Sequence, residues 1–505
     1  MEEFNDNDIF FYIYILYKSE MSLTYSLSGD FSGNINSVQL QTEINADPGI
    51  TPTVTNINTD DDDVIIVFDS TPSTGEQTTI NGIVSSHTAV FIPTSATFDA
   101  IVDSQGRGQY LLPSQAFAAG HKSIFVRNGV YVETQDIVLP DSGYMVGESG
   151  PNVIIYFIGA YSVKMDGTGG TLESAGTMTV TKDSANIVGV GTTFTNLSAG
   201  DFILLGTNYF KIASITDDNN LVIERTYRGR TISNFQYIAH GMITGARLEN
   251  FIITGSSSSG LYCRGAWHFV IDSVACVLNA QNFNLINCGD GGLKHIICDS
   301  SISDGVMVDS CTSINVTTAD VFNCIGGGIN VFGNSASVIF NSCECSNNGG
   351  SGFKIGGTSK NINFSDCVAR HNNGYGLEIG SSTENIMSND MNIKQNELGG
   401  VILDGMNNEL EGGCICENGG SGVLIEANDS AIAGGFYVGN TGHGVEVKGN
   451  DNIIKGIRAK NNTSDGVNIA TGATDSIVVY NNLKGNSGTG LVDNGTTSET
   501  QGNKL

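Results

Sequence analysis

Proline and tryptophan are nearly missing from these 505 residues, with seven copies and one, and only 15% of the chain is charged. Scarce proline argues against extended linkers, and an apolar content of 40% is too high for a disordered chain. Basic residues are the scarcer charge. Against 52 Asp and Glu stand 23 Lys and Arg, and the resulting net charge of −29 repels phosphate backbones, so nucleic acid is not expected as a partner. Uncharged sugars, divalent cations and basic protein surfaces remain compatible. Long apolar runs are absent too. The longest near the start, Ile9 to Tyr17, is too short for a membrane span and lacks a signal peptide's basic flank and cleavage site. No CxxC pair supports a zinc site, and the run Asp60 to Asp63 lacks the spaced ligands of an EF-hand and reads as a solvated turn. The eleven cysteines are scattered singly, as in Cys343-Glu-Cys345 and Cys414-Ile-Cys416, and are expected as reduced hydrophobes in a core.

What is abundant is glycine, 65 copies with no three-residue period, so collagen is excluded. Glycines recur at 305, 328, 352, 376, 400, 422, 444, 466 and 490, in steps of 22 to 24 residues, with Gly260 and Asn282 continuing the series upstream. Asn282 in place of glycine suggests a left-handed backbone position. One and three residues after each mark stand apolar pairs: Leu261/Cys263, Phe283/Leu285, Val306/Val308, and so on to Val467/Ile469, with Asp493 breaking the last. Residues between them, such as Asn284, Lys354, Glu378 and Glu446, are polar, the mark of a half-buried strand. A second apolar mark follows ten residues after the glycine, at Val338, Ile362, Ile386, Leu410, Ile432 and Ile454, so each unit holds at least two strands. Asparagines precede the next glycine at Asn347-Asn348, Asn372-Asn373, Asn396, Asn418, Asn440 and Asn461-Asn462, where stacked amides can hydrogen-bond from unit to unit. Propeller blades and helical repeats need longer periods, and the leucine-rich pattern is missing. A coil of short parallel strands fits.

Upstream, the stretch Lys122 to Glu133, then Ile137-Val-Leu-Pro140 and Gly147-Glu-Ser-Gly150, alternates in the same way. It resembles the first rungs of pectate-lyase-like proteins and, with the repeats, extends that resemblance over roughly 320 residues. The resemblance implies an all-β, right-handed parallel β-helix of the virus tailspike or fibre kind, of phage or giant DNA virus type. Residues 91–169 are then its first rungs, residues 238–495 its repeats and residues 496–505 a polar tail. Residues 170–237 break the period and resemble a small β-barrel inserted in such spikes. Residues 22–90 read as a small α+β head, with helices near Gln39 and Ile80 and a strand at Val64 to Phe68, and resemble an anchor module of virus structural proteins. Residues 1–21 read as an arm or upstream extension, since Met21 begins a better domain start.

Candidate chemistry follows from the slots. Asp404 and Glu426 fall in one outward slot on adjacent rungs, with Glu378 and Glu446 in the neighbouring slot; such a column could pair a general acid with a base, or hold a divalent cation such as calcium. Tyr262 and Phe332 face outward and could stack on sugars, and the insert carries a basic tip at Arg225, Tyr227, Arg228 and Arg230. Gly442-His443-Gly444 is similar to the GHG motif of polygalacturonases. Gly444, however, is the repeat glycine, the paired upstream aspartates are absent, and Arg458-Ala-Lys460 is displaced, so the triplet is read as coincidence. The expected function is a virion-surface spike, assembled in host cytoplasm, binding glycans as a homotrimer and docking on virion or capsid proteins through its head. A polysaccharide lyase or glycoside hydrolase is the alternative, and a passive capsid-associated component a further one.

Overall fold

The computed structural model describes residues 22–26, 37–60, 63–86, 98–167, 173–205 and 208–505. The arm at residues 1–21, Asp61 and Asp62 of the acidic run, and residues 91–97 of the expected first rungs lie outside these. The chain is all-β, 51% strand and 7% helix, and divides into two compact units at Gln109/Tyr110. In the first, strands Ser22–Ser26, Asp63–Phe68 and Val54–Asp60 form an antiparallel sheet beside helices Ser37–Ala46 and Thr74–Ser86. Their apolar faces meet in a core that includes Leu40, Ile44, Val64, Ile66, Phe68, Ile80 and Val84.

The second unit is a right-handed parallel β-helix of about 17 turns. One face is a sheet of 13 parallel strands, and its register joins the apolar positions read from the sequence: Leu261 opposes Phe283, then Val306, Ile329, Phe353, Leu377, Val401, Val423, Val445, Val467 and Leu491. From Leu261 to Ile469 both positions of every pair are buried, and at Asp493 the inward column ends exposed. Each turn in the regular part holds three strands, in keeping with the at least two read from the sequence, for example Tyr375–Ile379, Glu384–Asn389 and Asn392–Lys394. Between the second and third the chain turns on a residue with positive φ. Ser342, Asp366 and Asp390 fill that corner, and Gly412, Gly434 and Gly456 take it over later.

The asparagines form a ladder. Asn348, Asn372, Asn396, Asn418, Asn440, Asn462 and Asn486 stack so that each Nδ2 donates to the next Oδ1 at 2.9–3.1 Å. Each backbone N–H donates to the same oxygen, and each Nδ2 also reaches a core-strand carbonyl, as Asn418 does at Ile393 O, 3.3 Å away. Every amide proton is thus used in a dry interior. This ladder explains the repeat glycines, which do not adopt positive φ, contrary to the expectation from Asn282. A Cβ on Gly352 would sit 2.8 Å from Asn372 Nδ2 and 2.9 Å from Gly376 O, and one on Gly422 2.6 Å from Gly444 O. Close approach of the next rung, not backbone handedness, selects glycine here. Asn282 does not have positive φ either; its Oδ1 accepts from Asn279 Nδ2, three residues earlier, at 3.0 Å and its Nδ2 donates to Asp299 O at 3.0 Å.

Nine cysteines are buried free thiols, as expected. Cys414 and Cys416 are a correction. Alternation along Cys414–Cys416 turns Ile415 inward and both sulfurs outward, where they form a disulfide.

Residues 173–240 leave the coil for seven antiparallel strands in the order Ile232–Phe235, Thr177–Val180, Ser184–Val190, Asn220–Tyr227, Asn208–Asp217, Phe202–Leu205, Ala239–His240. They enclose a separate core around Phe194, Ile203, Ile212 and Leu221.

Two predictions follow from these contacts. Asn418→Ala strands the Asn396 amide and backbone N–H and should cost roughly 2–5 kcal/mol in urea unfolding, while exposed Asn373→Ala should cost under about 0.5. Equal costs would refute the ladder. Alkylation in denaturant followed by mass spectrometry should modify nine thiols without reductant and all eleven with it.

Candidate functional site

Glu378, Glu426 and Glu446 do not stand as bare neighbouring carboxylates; each lies within ion-pair distance of a lysine. Glu378 and Glu446 share one outward column, separated by Ile402 and Leu424 on the intervening rungs. Glu378 is bound by Lys354 Nζ at 2.7 Å and by Ser351 Oγ at 2.7 Å. Lys448, in the slot of Asp404 and Glu426 one rung further on, lies 3.2 Å from Glu426 and 3.9 Å from Glu446. Lysines from adjacent rungs thus take the place of the carboxylate–carboxylate coupling that would create an acid–base pair. Among the described residues no three His, Cys, Asp or Glu are grouped to hold a metal ion.

The aromatic and basic candidates do not converge. Tyr262 and Phe332 stand three rungs apart on the 13-strand sheet. Tyr262 is half-buried, with Lys164 and Arg264 each 5.9 Å from its ring centre. Those cations are themselves held, Lys164 by Asp136 at 2.7 Å and Arg264 by a two-pronged contact to Asp166. On the insert, Arg225, Arg228 and Arg230 are exposed, whereas Tyr227 is buried against Phe210 in the core of the small sheet and offers no ring to a sugar. Alternation along the strand turns Leu221 and Ile223 inward, and Tyr227 rejoins that side. His443 lies in the turn slot; its Nδ1 accepts the Asp465 N–H at 3.2 Å, which is a structural role.

The feature the repeat could not reveal is a cleft of about 600 Å³ between the inserted sheet and one corner of the coil. Its insert wall includes Leu204, Tyr209 and Phe235; its coil wall includes Asn287, Asn334 and Lys360. The coil residues come from successive rungs: Thr312, Ala336 and Lys360 bridge in parallel, one above the other. Tyr209 reaches from the strand Asn208–Asp217, its ring edge-on to Trp267 at 5.3 Å and to His240 at 5.6 Å. Its hydroxyl is buried with no hydrogen-bond partner among the described residues, and burial raises its pKa. Burial also pushes Tyr237 up to about 12, with the Glu173 carboxylate adding to it. His240 is wholly buried; its Nδ1 donates to Gly241 O at 2.7 Å and its Nε2 lacks a partner among the described residues.

Burial, the largest influence, lowers the His240 pKa below its ordinary 6.5. Between that value and the depressed folded one, the unfolded chain binds more protons than the folded chain, so stability rises with pH through this window. Acidification below about pH 6.5 should therefore destabilise the chain, and His240→Phe should flatten that part of the urea-midpoint profile. An unchanged profile would contradict the burial argument.

No protein-family model matches the chain, and no curated protein matches it. Among solved structures, the A-module of mannuronan C-5 epimerase AlgE6 from Azotobacter vinelandii aligns at 14% identity and a TM-score of 0.48, over 77% of this chain and 92% of that one. The tailspike gp49 of Pseudomonas phage LKA1 aligns at 12% and 0.42, over 75% of this chain and 73% of that one. The tailspike Gp54 of Acinetobacter baumannii bacteriophage AP22, solved with a capsular saccharide, aligns at 11% and 0.42, over 76% and 72%. By its own rung-by-rung pairing, the chain has the architecture common to these structures, the right-handed parallel β-helix.

Proposed function

We propose that this chain is a virion-surface spike or fibre protein that binds host or environmental glycans through its β-helix. The observation that carries the reading is the cleft, whose walls set aromatic rings beside amides and hydroxyls. That lining suits a sugar, which alternates apolar C–H faces with hydroxyl groups. Binding is favoured over hydrolysis or elimination because Glu378, Glu426 and Glu446 are engaged by lysines. The virion location, assembly in host cytoplasm and docking through residues 22–90 rest on the resemblance of the insert and the N-terminal segment to spike modules.

Assembly as a homotrimer is part of the proposal, and an exposed apolar surface on the first rungs supports it. Val130, Val132, Tyr156 and Ile158 lie side by side on strands Gly129–Glu133 and Val153–Gly159, each more than 40% exposed. Continuous apolar surface of this kind marks association sites. Light scattering on the full chain should give three times the chain mass, and Val132→Lys with Ile158→Lys should lower it. A polysaccharide array should retain the protein on at least one glycan without release of reducing sugar. Retention on none would refute the binding reading, and sugar release lost in Asp404→Ala would replace it with an enzymatic one.

A further inference from the structure

Of the eleven cysteines, nine are buried thiols, and the other two, Cys414 and Cys416, are partly exposed and joined in a disulfide. A cross-link stabilises a fold mainly through the chain loop that it closes. This one joins residues two apart on a single strand, so it closes almost no loop. The strand is held without it. Cys414 N donates to Met391 O at 3.0 Å, Gln395 N to Cys416 O at 3.2 Å and Phe436 N to Gly413 O at 2.9 Å, and Ile415 between the two cysteines is buried. Asn418, two residues on, is locked in the amide ladder. Opening the S–S bond therefore requires no movement of the backbone.

The register sets a cation beside one sulfur and an aromatic ring beside the other. Cys416 has Lys394 as its partner on the preceding rung and Val438 on the next, while Cys414 has Asn392 and Phe436. Phe436 is 49% exposed, with Arg458 5.9 Å from its ring centre, and Lys460 follows Val438 in the column of Cys416. On this face Arg370 is held by Glu344, whereas Lys394, Arg458 and Lys460 have no carboxylate within 4 Å among the described residues. The carboxylates nearest in sequence lie off the strand: Glu411 before the corner glycines Gly412 and Gly413, and Glu417 in the turn at positive φ. Asp390 is taken up at the same corner, accepting from Gly413 N at 3.2 Å.

We infer that Cys414–Cys416 is a thiol–disulfide exchange site whose substrate is a small acidic thiol, a cysteine-containing peptide with free carboxylates. The site is separate from the cleft and does not depend on the glycan-binding reading. The substrate thiolate attacks Cys414 Sγ; the S–S bond breaks and its electron pair leaves on Cys416 Sγ, whose thiolate Lys394 favours. A second substrate thiolate then attacks the substrate sulfur of the mixed disulfide, and Cys414 leaves. Two thiols are thereby oxidised to one disulfide, and their protons end on Cys414 and Cys416. Lys394, Arg458 and Lys460 draw in the substrate carboxylates, an attraction that salt screens.

Glutathione, which carries a net negative charge, and neutral 2-mercaptoethanol are the probes, applied to the folded full chain. Exchange is read by mass spectrometry as alkylation of Cys414 and Cys416. As the reduced share of a glutathione buffer rises, the pair should pass reversibly from disulfide to dithiol with no change in far-ultraviolet circular dichroism. Relative to their rates with a neutral small disulfide, glutathione should outrun mercaptoethanol several-fold at low salt and lose that lead at high salt. Arg458→Gln should shrink the lead, and Lys394→Gln should slow both thiols several-fold. The comparison of thiols and salts on the wild type stands even where a variant fails to fold. A disulfide that stays closed in excess glutathione until urea unfolds the chain would overturn the exchange site. Equal relative rates for the two thiols, or reduction by a protein dithiol alone, would overturn the small acidic substrate.

Discussion

The buried asparagine ladder is the interaction on which the coil depends. Parallel strands satisfy their own backbone groups, but the turn between one rung and the next leaves amide protons and carbonyls facing the interior. Asn348 through Asn486 take up those groups with a side chain that both donates and accepts, and each passes the arrangement to its neighbour. The requirement propagates outward. The ladder needs rungs close enough for 3 Å contacts, close rungs leave no room for a Cβ at Gly352 or Gly422, and the glycine in turn fixes where the next strand begins. The period, the glycine and the amide are one constraint.

Once the rungs are locked, the outer surface becomes a lattice on which side chains from distant sequence positions stand at strand spacing. Such a lattice produces charge columns readily, and the chain manages them by alternation. Lys354 precedes Glu378, and Lys448 serves Glu426 and Glu446. Neutralised columns of this kind hold a surface together modestly, since the partners are part-exposed. The same lattice, where the inserted sheet overhangs it, makes a cleft instead of a flat face.

The coil was legible because its repeat is strict. The inward pairs, the end of the apolar column at Asp493 and the stacked amides follow from spacing alone. What misled was the meaning of single residues. Asn282 suggested a left-handed turn because asparagine favours that conformation, whereas neither it nor the repeat glycines adopt positive φ. Cys414 and Cys416 resembled core cysteines because they alternate with Ile415, but alternation alone does not say which phase faces inward, and here it is the isoleucine. Tyr227 was grouped with its arginine neighbours on the strength of adjacency, although a strand sends adjacent residues to opposite sides. The cleft left no trace in the sequence, because Tyr209 and Lys360 meet only through the packing of the insert on the coil. Nothing in the repeat marks Lys360 beyond its place in a column that also holds Thr312 and Ala336.

The most direct test is a crystal structure of the full chain with a glycan that it retains. The account predicts sugar density in the cleft between the inserted sheet and the coil corner. Sugar bound along the Glu378–Glu446 column, with the cleft left empty, would contradict it.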